Sequence, residues 1–393
     1  VRESVLLEID TDALRNNLRE VRRVVGPAAR IAAVVKADAY GLGAVVCGRE
    51  FLDAGASLLA VARLEEALEL RRALPGAPVL VMGHTEDGNL RVAVDRDIAV
   101  TIFEERQAEL LSAAASARRG RAVAHVKIDT GMNRLGLRCA DGADAAECAR
   151  RVARMAALPA LKIEGLYTHL ALVDGPSDAL QFARFRAVAD ALAGLGIDIP
   201  LKHVCDSIGL VRYPEYRLDL VRAGAILYGM APTRLPPGVG LKLRFAASLR
   251  ARVSRVVRLA PGEGVGYDFT YRAGPGGATL ATVAAGYADG YPRCLSNRGF
   301  VSIRGKRAPV VGLVCMDQLT VDASGIDGVV PGDEAALLGD GIDIMELAEL
   351  AGTNRNEILS SLGRRIPRSY LNGGAEIARA DYLAAEGGIE WKA

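Results

Sequence analysis

Short apolar runs recur at a steady interval between residues 31 and 230. They occupy residues 31–37, 58–62, 78–83, 98–103, 122–129, 163–169, 201–206 and 219–223. Most are rich in Val, Ile or Leu, the pattern of strands covered on both faces. Most are separated by segments of helical character rich in Ala, Leu, Glu and Arg. Examples are Arg63 to Leu74, Glu104 to Arg119, Asp144 to Ala157 and Asp178 to Leu195. Eight strand–helix beats in about 200 residues predict an α/β fold, a (β/α)8 TIM-type barrel. An open doubly wound sheet usually has fewer strands, and no GxGxxG follows the first run.

The texture changes after Leu235-Pro236-Pro237-Gly238. Short alternating stretches bounded by Gly and Pro take over: Ala247 to Arg258, Ala278 to Ala284, Phe300 to Arg304 and Gln318 to Asp322. These predict a mostly antiparallel β domain. One helical patch remains, at Asp343 to Ala351 and Asn356 to Leu362. The expected organisation is a barrel over residues 12–238 and a β domain over 239–393. A strand over residues 1–11 is expected to pack on the latter.

Composition narrows the class. Half of the 393 residues are apolar, enough for a large buried core. Forty-nine Lys and Arg face 47 Asp and Glu, so no basic excess points to nucleic acid or an anionic membrane. No stretch approaches the roughly 20 apolar residues of a membrane span. The Val5–Leu7 run is too short for a signal-peptide core. Six scattered cysteines, with no CxxC pair and no His at zinc spacing, read as reduced thiols and suggest no metal. A cytoplasmic protein is expected. Only seven basic residues are lysines: Lys36, Lys127, Lys162, Lys202, Lys242, Lys306 and Lys392. Arginine stays protonated and cannot be an amine nucleophile. Covalent amine chemistry must therefore use one of these seven or the amino terminus.

In such barrels the chemistry sits at the carboxyl ends of the strands. Polar residues recur there. Lys36 closes the first run, Lys127 lies on the fifth with Arg134 just beyond, His169 closes the sixth, Ser207 follows the seventh, and Arg222 lies on the eighth before Gly224. A lone strand histidine is usually a satisfied core residue; six such groups at one rim are harder to dismiss. The loops after strands seven and eight often hold a phosphate. Ser207 offers a hydroxyl there, and Gly224 and Ala225 offer backbone N–H groups that can approach closely. A lysine opposite a phosphate site suggests pyridoxal 5'-phosphate as cofactor. Arg222 is placed to partner its ring nitrogen.

These residues match a known pattern. The chain resembles the alanine racemases, pyridoxal-phosphate enzymes built from a (β/α)8 barrel and a carboxy-terminal β domain. The resemblance is carried by AVVKADAYGLGA (33–44), KIDTGMNRLG (127–136), YTHLA (167–171), DLVRAGAILYG (219–229), GVGYDFTY (264–271), GYADGYPR (286–293), VCMDQ (314–318) and IPRSY (366–370), in order and spacing.

The resemblance implies roles. Lys36 is similar to the Schiff-base lysine and one catalytic base; Tyr267 is similar to the base on the opposite face. Tyr40, Ser207, Gly224, Ala225 and Tyr370 resemble the phosphate-binding set. Arg222 resembles the ring-nitrogen partner, with His169 hydrogen-bonded behind it. Arg134 is similar to the residue near the cofactor's phenolic oxygen and the substrate carboxylate, and Met316 to one whose backbone N–H meets that carboxylate. Lys127 aligns with a lysine carbamylated in many members. The family is homodimeric, with Tyr267 and Met316 supplied by the other subunit, and makes D-alanine for peptidoglycan. Two positions depart from the pattern: Asp206 stands where Asn is common, and Asn133 where Gly is usual. An inward carboxylate would disfavour a phosphate, so Asp206 is expected to point away.

The implied chemistry needs these residue types. Racemisation takes an α-proton from one face and returns one to the other, so two acid–base groups are the simplest solution. A tyrosine can serve only if its pKa, ordinarily about 10, is lowered or its proton shared. An arginine at the ring nitrogen, always protonated, donates without giving up its proton. The ring is then a weaker electron sink, which suppresses transamination. Three rival readings compete with this one. A related decarboxylase of basic amino acids would use a β-domain cysteine, and Cys315 is a candidate, but Tyr267 and VCMDQ fit the racemase. A cofactor carrier of a single barrel lacks the second domain. A serine or broad-specificity racemase differs by only about 1–3 kcal/mol of recognition, and Tyr370 favours a methyl-sized side chain.

Overall fold

The computed structural model describes residues 3–232, 235–236, 238–384 and 388–392. Pro237, part of the expected boundary, and Val1 and Arg2, at the start of the expected first strand, lie outside the described residues. The chain packs as two compact units. One comprises Arg15–Ala37 and Cys47–Leu243; the other comprises Val1–Leu14, Asp38–Val46 and Arg244–Ala393.

Strand β1 (Val5–Asp10) belongs to the second unit. The barrel strands of the first unit are β2 (Arg30–Val34), β3 (Leu58–Val61), β4 (Val79–Val81), β5 (Ala99–Ile102), β6 (Ala122–Asp129), β7 (Leu161–Tyr167), β8 (Leu201–His203) and β9 (Leu220–Ala223), all parallel, and a two-residue strand, Leu137–Arg138, pairs with β6 off this path. Their neighbour order is β9-β2-β3-β4-β5-β6-β7-β8. Backbone bonds from Asp219 to Lys202 (3.1 Å) and from Arg222 to Cys205 (3.0 Å) bring β8 beside β9, so the barrel is nearly closed. β3 and β4 are buried throughout, which explains why they read as unbroken apolar runs. Helices alternate with the strands and begin where capping residues stand. Asp141 accepts the Ala143 and Asp144 amides before Gly142–Ala156. Asp174 accepts the Ser177 amide before Gly175–Gly194, with Pro176 in the first turn.

The second unit is mostly antiparallel. β10 (Ala247–Leu259) pairs with β11 (Ala278–Val283), and β12 (Phe300–Ile303) pairs with β13 (Lys306–Pro309). β14 (Leu319–Asp322) joins β11, and β15 (Glu334–Leu338) joins β10 and β12. β16 (Arg368–Asn372), β17 (Ala375–Asp381) and β18 (Gly388–Trp391) complete the sheet. β1 lies antiparallel to β10 and parallel to β16. Its alternating burial places Val5, Leu7 and Ile9 in the core, the period of two expected of a strand with one packed face.

Candidate active site

The barrel strands deliver a cluster of cationic and imidazole groups. Lys36 follows β2 by two residues, Lys127 lies on β6, His169 follows β7 by two residues, and Arg222 lies on β9. Lys127 and Arg222 are buried. Lys36 and Arg134 reach solvent. Partial desolvation, and then the Arg134 charge, lower the Lys36 amine below the usual lysine range. The same two causes bring Lys127 down to about 8. His169 is pushed down to about 2 by burial and then by Arg222, which keeps it neutral at working pH. The Asp129 carboxylate, a candidate partner for Lys127, is turned onto the Gly131 and Asn133 amides, at 3.1 and 3.0 Å. Asn133 adopts φ +56°. That explains the departure from Gly, because Asn tolerates the left-handed region better than other side chains.

Arg222 is anchored by neutral groups. Nη1 donates to His203 Nδ1 at 2.7 Å and to the His203 carbonyl at 3.1 Å. Nη2 donates to the carbonyls of Thr168 (2.8 Å) and Val204 (2.7 Å), and meets His169 Nδ1 at 3.3 Å. Its guanidinium lies 5.2 Å from the Tyr167 ring centre, and that ring stacks on His203 at 4.5 Å. Sequence reasoning picked out His169 but missed His203, Tyr167 and His125. A signal existed for His125: it stands two residues before Lys127, and the period of two puts both on one face of β6.

Ser207, Gly224 and Ala225 lie close together. Ser207 is buried and its Oγ accepts the Gly224 amide at 2.9 Å and the Ile226 amide at 3.4 Å. Gly224 and Ala225 lead into a short turn, Ala225–Tyr228. Asp206 accepts the Ile208 and Gly209 amides, both at 2.9 Å, so its carboxylate is engaged by the backbone.

In the second unit, Tyr40 sits in a clamped loop, and Tyr370, on β16, is one of the groups that clamp it. Ala37, Asp38, Ala39 and Tyr40 all have φ between +53° and +56°, followed by Gly41 at +86°. Four L-residues thus wind left-handed, at a cost of roughly 1–2 kcal/mol each. Arg368, fully buried, donates to the Gly41 carbonyl through Nε (3.1 Å) and Nη2 (2.9 Å). Asp38 pairs with Arg364 at 3.2 Å and accepts the Ala44 amide at 2.8 Å. Tyr370, also fully buried, donates to the Leu42 carbonyl at 3.0 Å. A side chain at Gly43 would stand 1.9 Å from the Tyr370 hydroxyl, so only glycine fits there. Strain held by surrounding contacts is typical of functional segments. Arg368 was part of the quoted IPRSY stretch, but its anchoring role was not read from sequence.

Tyr267 and Met316 are displayed differently. Tyr267 is 69% exposed and Met316 53%. Tyr267 opens a short turn in which Asp268 and Phe269 have positive φ, after Gly266 at +65°.

Comparison with known proteins gives a consistent picture. The alanine racemase N-terminal domain pattern matches residues 9–232 and the C-terminal domain pattern residues 246–370. The alanine racemase of Desulforamulus reducens is 40% identical over 375 residues, 94% of this chain and all of the relative. The Bacillus anthracis alanine racemase with bound L-Ala-P superposes with a TM-score of 0.88 at 32% identity, over 98% of this chain and 99% of that one. The Bartonella henselae alanine racemase with covalently bound pyridoxal phosphate gives a TM-score of 0.82 at 28% identity, over 94% and 100% of the two chains. By sequence along nearly its whole length and by fold, the chain belongs to the alanine racemase family.

Proposed function

We propose that this chain is a pyridoxal-phosphate-dependent racemase that interconverts L- and D-alanine by two bases and supplies D-alanine for peptidoglycan. The observation that carries the reading is the barrel-mouth cluster: a lysine with a lowered amine beside a buried arginine held by neutral partners.

The residues fit the cofactor. Ser207 Oγ accepts backbone amides, so its own O–H can donate to a phosphate oxygen. Ala225 and Tyr40 would complete that end; the Gly224 N–H and the Tyr370 O–H are given to Ser207 and Leu42 and would shape it rather than donate. Arg222, with His169 behind it, would hold the ring nitrogen. When bound, pyridoxal phosphate supplies an aldehyde for the substrate amine and a ring that draws electrons from the Cα–H bond.

The chain's own groups then move the protons. Lys36 would hold the cofactor and act as base on one face; its lowered amine is partly neutral closer to physiological pH, as a base must be. Tyr267 would act on the other face, supplied by the second subunit of a homodimer, and the Met316 N–H would hold the substrate carboxylate with Arg134. The exposure of Tyr267 and Met316 supports this division of labour. Lys127, at about 8, has the neutral fraction that carbamylation requires, and its carbamate would pair with Arg134. Among the described residues no helix is long and apolar enough to cross a membrane, in keeping with a cytoplasmic enzyme.

The test is direct. Purified protein loaded with cofactor is incubated with L-alanine, L-serine or L-lysine, and the enantiomers are resolved by chiral chromatography. D-alanine is the expected product. An amine lacking the carboxyl group, or no product with cofactor bound, would overturn the reading.

A further inference from the structure

A line of polar groups runs from buried Arg222 back along the barrel strands to the partly exposed Glu164, and the proposed reaction does not use it. His203 Nε2 lies 2.9 Å from His125 Nδ1. His125 Nε2 lies 3.7 Å from Glu164 Oε2, an electrostatic contact rather than a hydrogen bond. Glu164 Oε1 in turn meets Lys162 Nζ at 2.8 Å. His125 and His203 are 1% and 0% exposed, so each ring nitrogen must be satisfied inside the protein.

The direction of the line follows from donor counting. A guanidinium only donates. His203 Nδ1 therefore accepts from Arg222, which leaves the His203 proton on Nε2. That proton is given to His125 Nδ1, and the His125 proton must sit on Nε2, facing the Glu164 carboxylate. Every proton points away from Arg222 and toward a negative charge. Burial keeps both imidazoles uncharged, as this single-proton pattern requires.

The backbone is shaped for it. β6 and β7 slip register between Ala124, opposite Ile163, and His125, opposite Gly165. Glu164 is the extra residue of that bulge, a device that re-aims a side chain. A Cβ at Gly165 would lie 2.1 Å from His125 Nδ1, so the glycine makes room for the ring.

We propose that Glu164, His125 and His203 form a one-way polar chain that fixes the Arg222 guanidinium, with His125 and Glu164 as positioning residues for the cofactor's ring-nitrogen partner. The proposal rests on the reading that Arg222 meets that nitrogen.

The chain has four histidines, so their nitrogen resonances can be assigned in holoenzyme carrying 15N-labelled histidine. Both His125 and His203 are expected to carry one proton, on Nε2, at pH 6 and at pH 8. A proton on Nδ1 of either ring, or a doubly protonated ring, overturns the chain. In Glu164→Ala, affinity for pyridoxal phosphate and kcat are each expected to fall about tenfold, as for a lost charged partner, while KM for alanine stays within twofold. Glu164→Gln, which keeps the shape but removes the charge, should recover little of either. Glu164→Ala within twofold of wild type overturns the positioning role. Arg222→Lys separates the layers. If it binds cofactor as well as wild type, the reading of Arg222 fails, and the proposal with it. If it is impaired while Glu164→Ala is not, only the chain is overturned.

Discussion

Arg222 and Lys127 in the barrel are 4% and 7% exposed, whereas Tyr267 and Met316 in the second unit are 69% and 53% exposed. The barrel groups are held by named partners: His203, Thr168 and Val204 for Arg222, and two backbone amides for Ser207. Tyr267 instead opens a turn with strained neighbours. The contrast separates two ways of preparing a functional side chain. Barrel groups are preorganised by their own unit, and their charge states are already shifted there. The tyrosine is presented to solvent on a turn with left-handed neighbours. On the proposed reading, a second subunit covers it. On this view the two sets should respond differently to mutation and to pH.

The largest expected effect is at Lys36. Lys36→Ala should lower racemisation by about a thousandfold or more, since it removes both the covalent anchor and one base. The cofactor's lysine-bound absorbance band should vanish as well. A retained band would move the anchor to another lysine and break the barrel side of the comparison.

Tyr267→Phe should cost about a hundred- to thousandfold in turnover and leave the thermal midpoint unchanged, because the side chain packs on little within its own chain. The fall in kcat/KM should be equal in both directions, while exchange of the α-proton with deuterated solvent should survive better from one enantiomer than from the other. A large drop in thermal midpoint would mean that the tyrosine is structural after all.

A smaller effect concerns stability. His125, His169 and His203 are all held below the ordinary histidine range. Below about pH 6.5 the unfolded chain binds protons on them that the native chain refuses. Stability is therefore lost as pH falls through that value, by up to about 1.4 kcal/mol per pH unit for each histidine. Thermal unfolding between pH 7.5 and 5.5 should show a falling midpoint; a flat profile would mean that the imidazoles can charge in place. The carboxylates Glu105 and Glu164, held at about 2, titrate well below this window and do not confuse it.

The smallest effect is expected at Asn133→Gly. The position already has φ +56°, so glycine relieves local strain but adds freedom to the unfolded chain. The net change should stay within about 1 kcal/mol, with turnover within twofold. A larger kinetic change would assign the Asn side chain a role in placing Arg134, its neighbour.

The parts legible in sequence share a physical reason. Barrel strands are short apolar runs because both faces are covered, and Lys36, Lys127, Ser207 and Arg222 stand out because polar groups are rare on such strands and just beyond their ends. The line of His203, His125 and Glu164 was not legible, because it depends on register between strands. A bulge of one residue decides whether Glu164 meets His125, and only the glycine at 165 hints at the close approach. The left-handed turn was hidden for a different reason. Ala37-Asp38-Ala39-Tyr40 carries no glycine, so nothing local announces positive φ; the winding is imposed by contacts with residues far along the chain.

That distance sets an order of events during synthesis. The groups that clamp the turn, Arg364 and Arg368, lie more than 320 positions after Asp38 and Gly41. At a translation rate of about 5–20 residues per second, roughly 15–65 s separate the two ends. Through that interval the segment that follows the candidate cofactor lysine lacks its grip, and in its later part, once residue 223 has been passed, every barrel strand has already been made. A nascent chain stopped shortly before Arg364 would hold a complete barrel sequence and leave this turn unsecured.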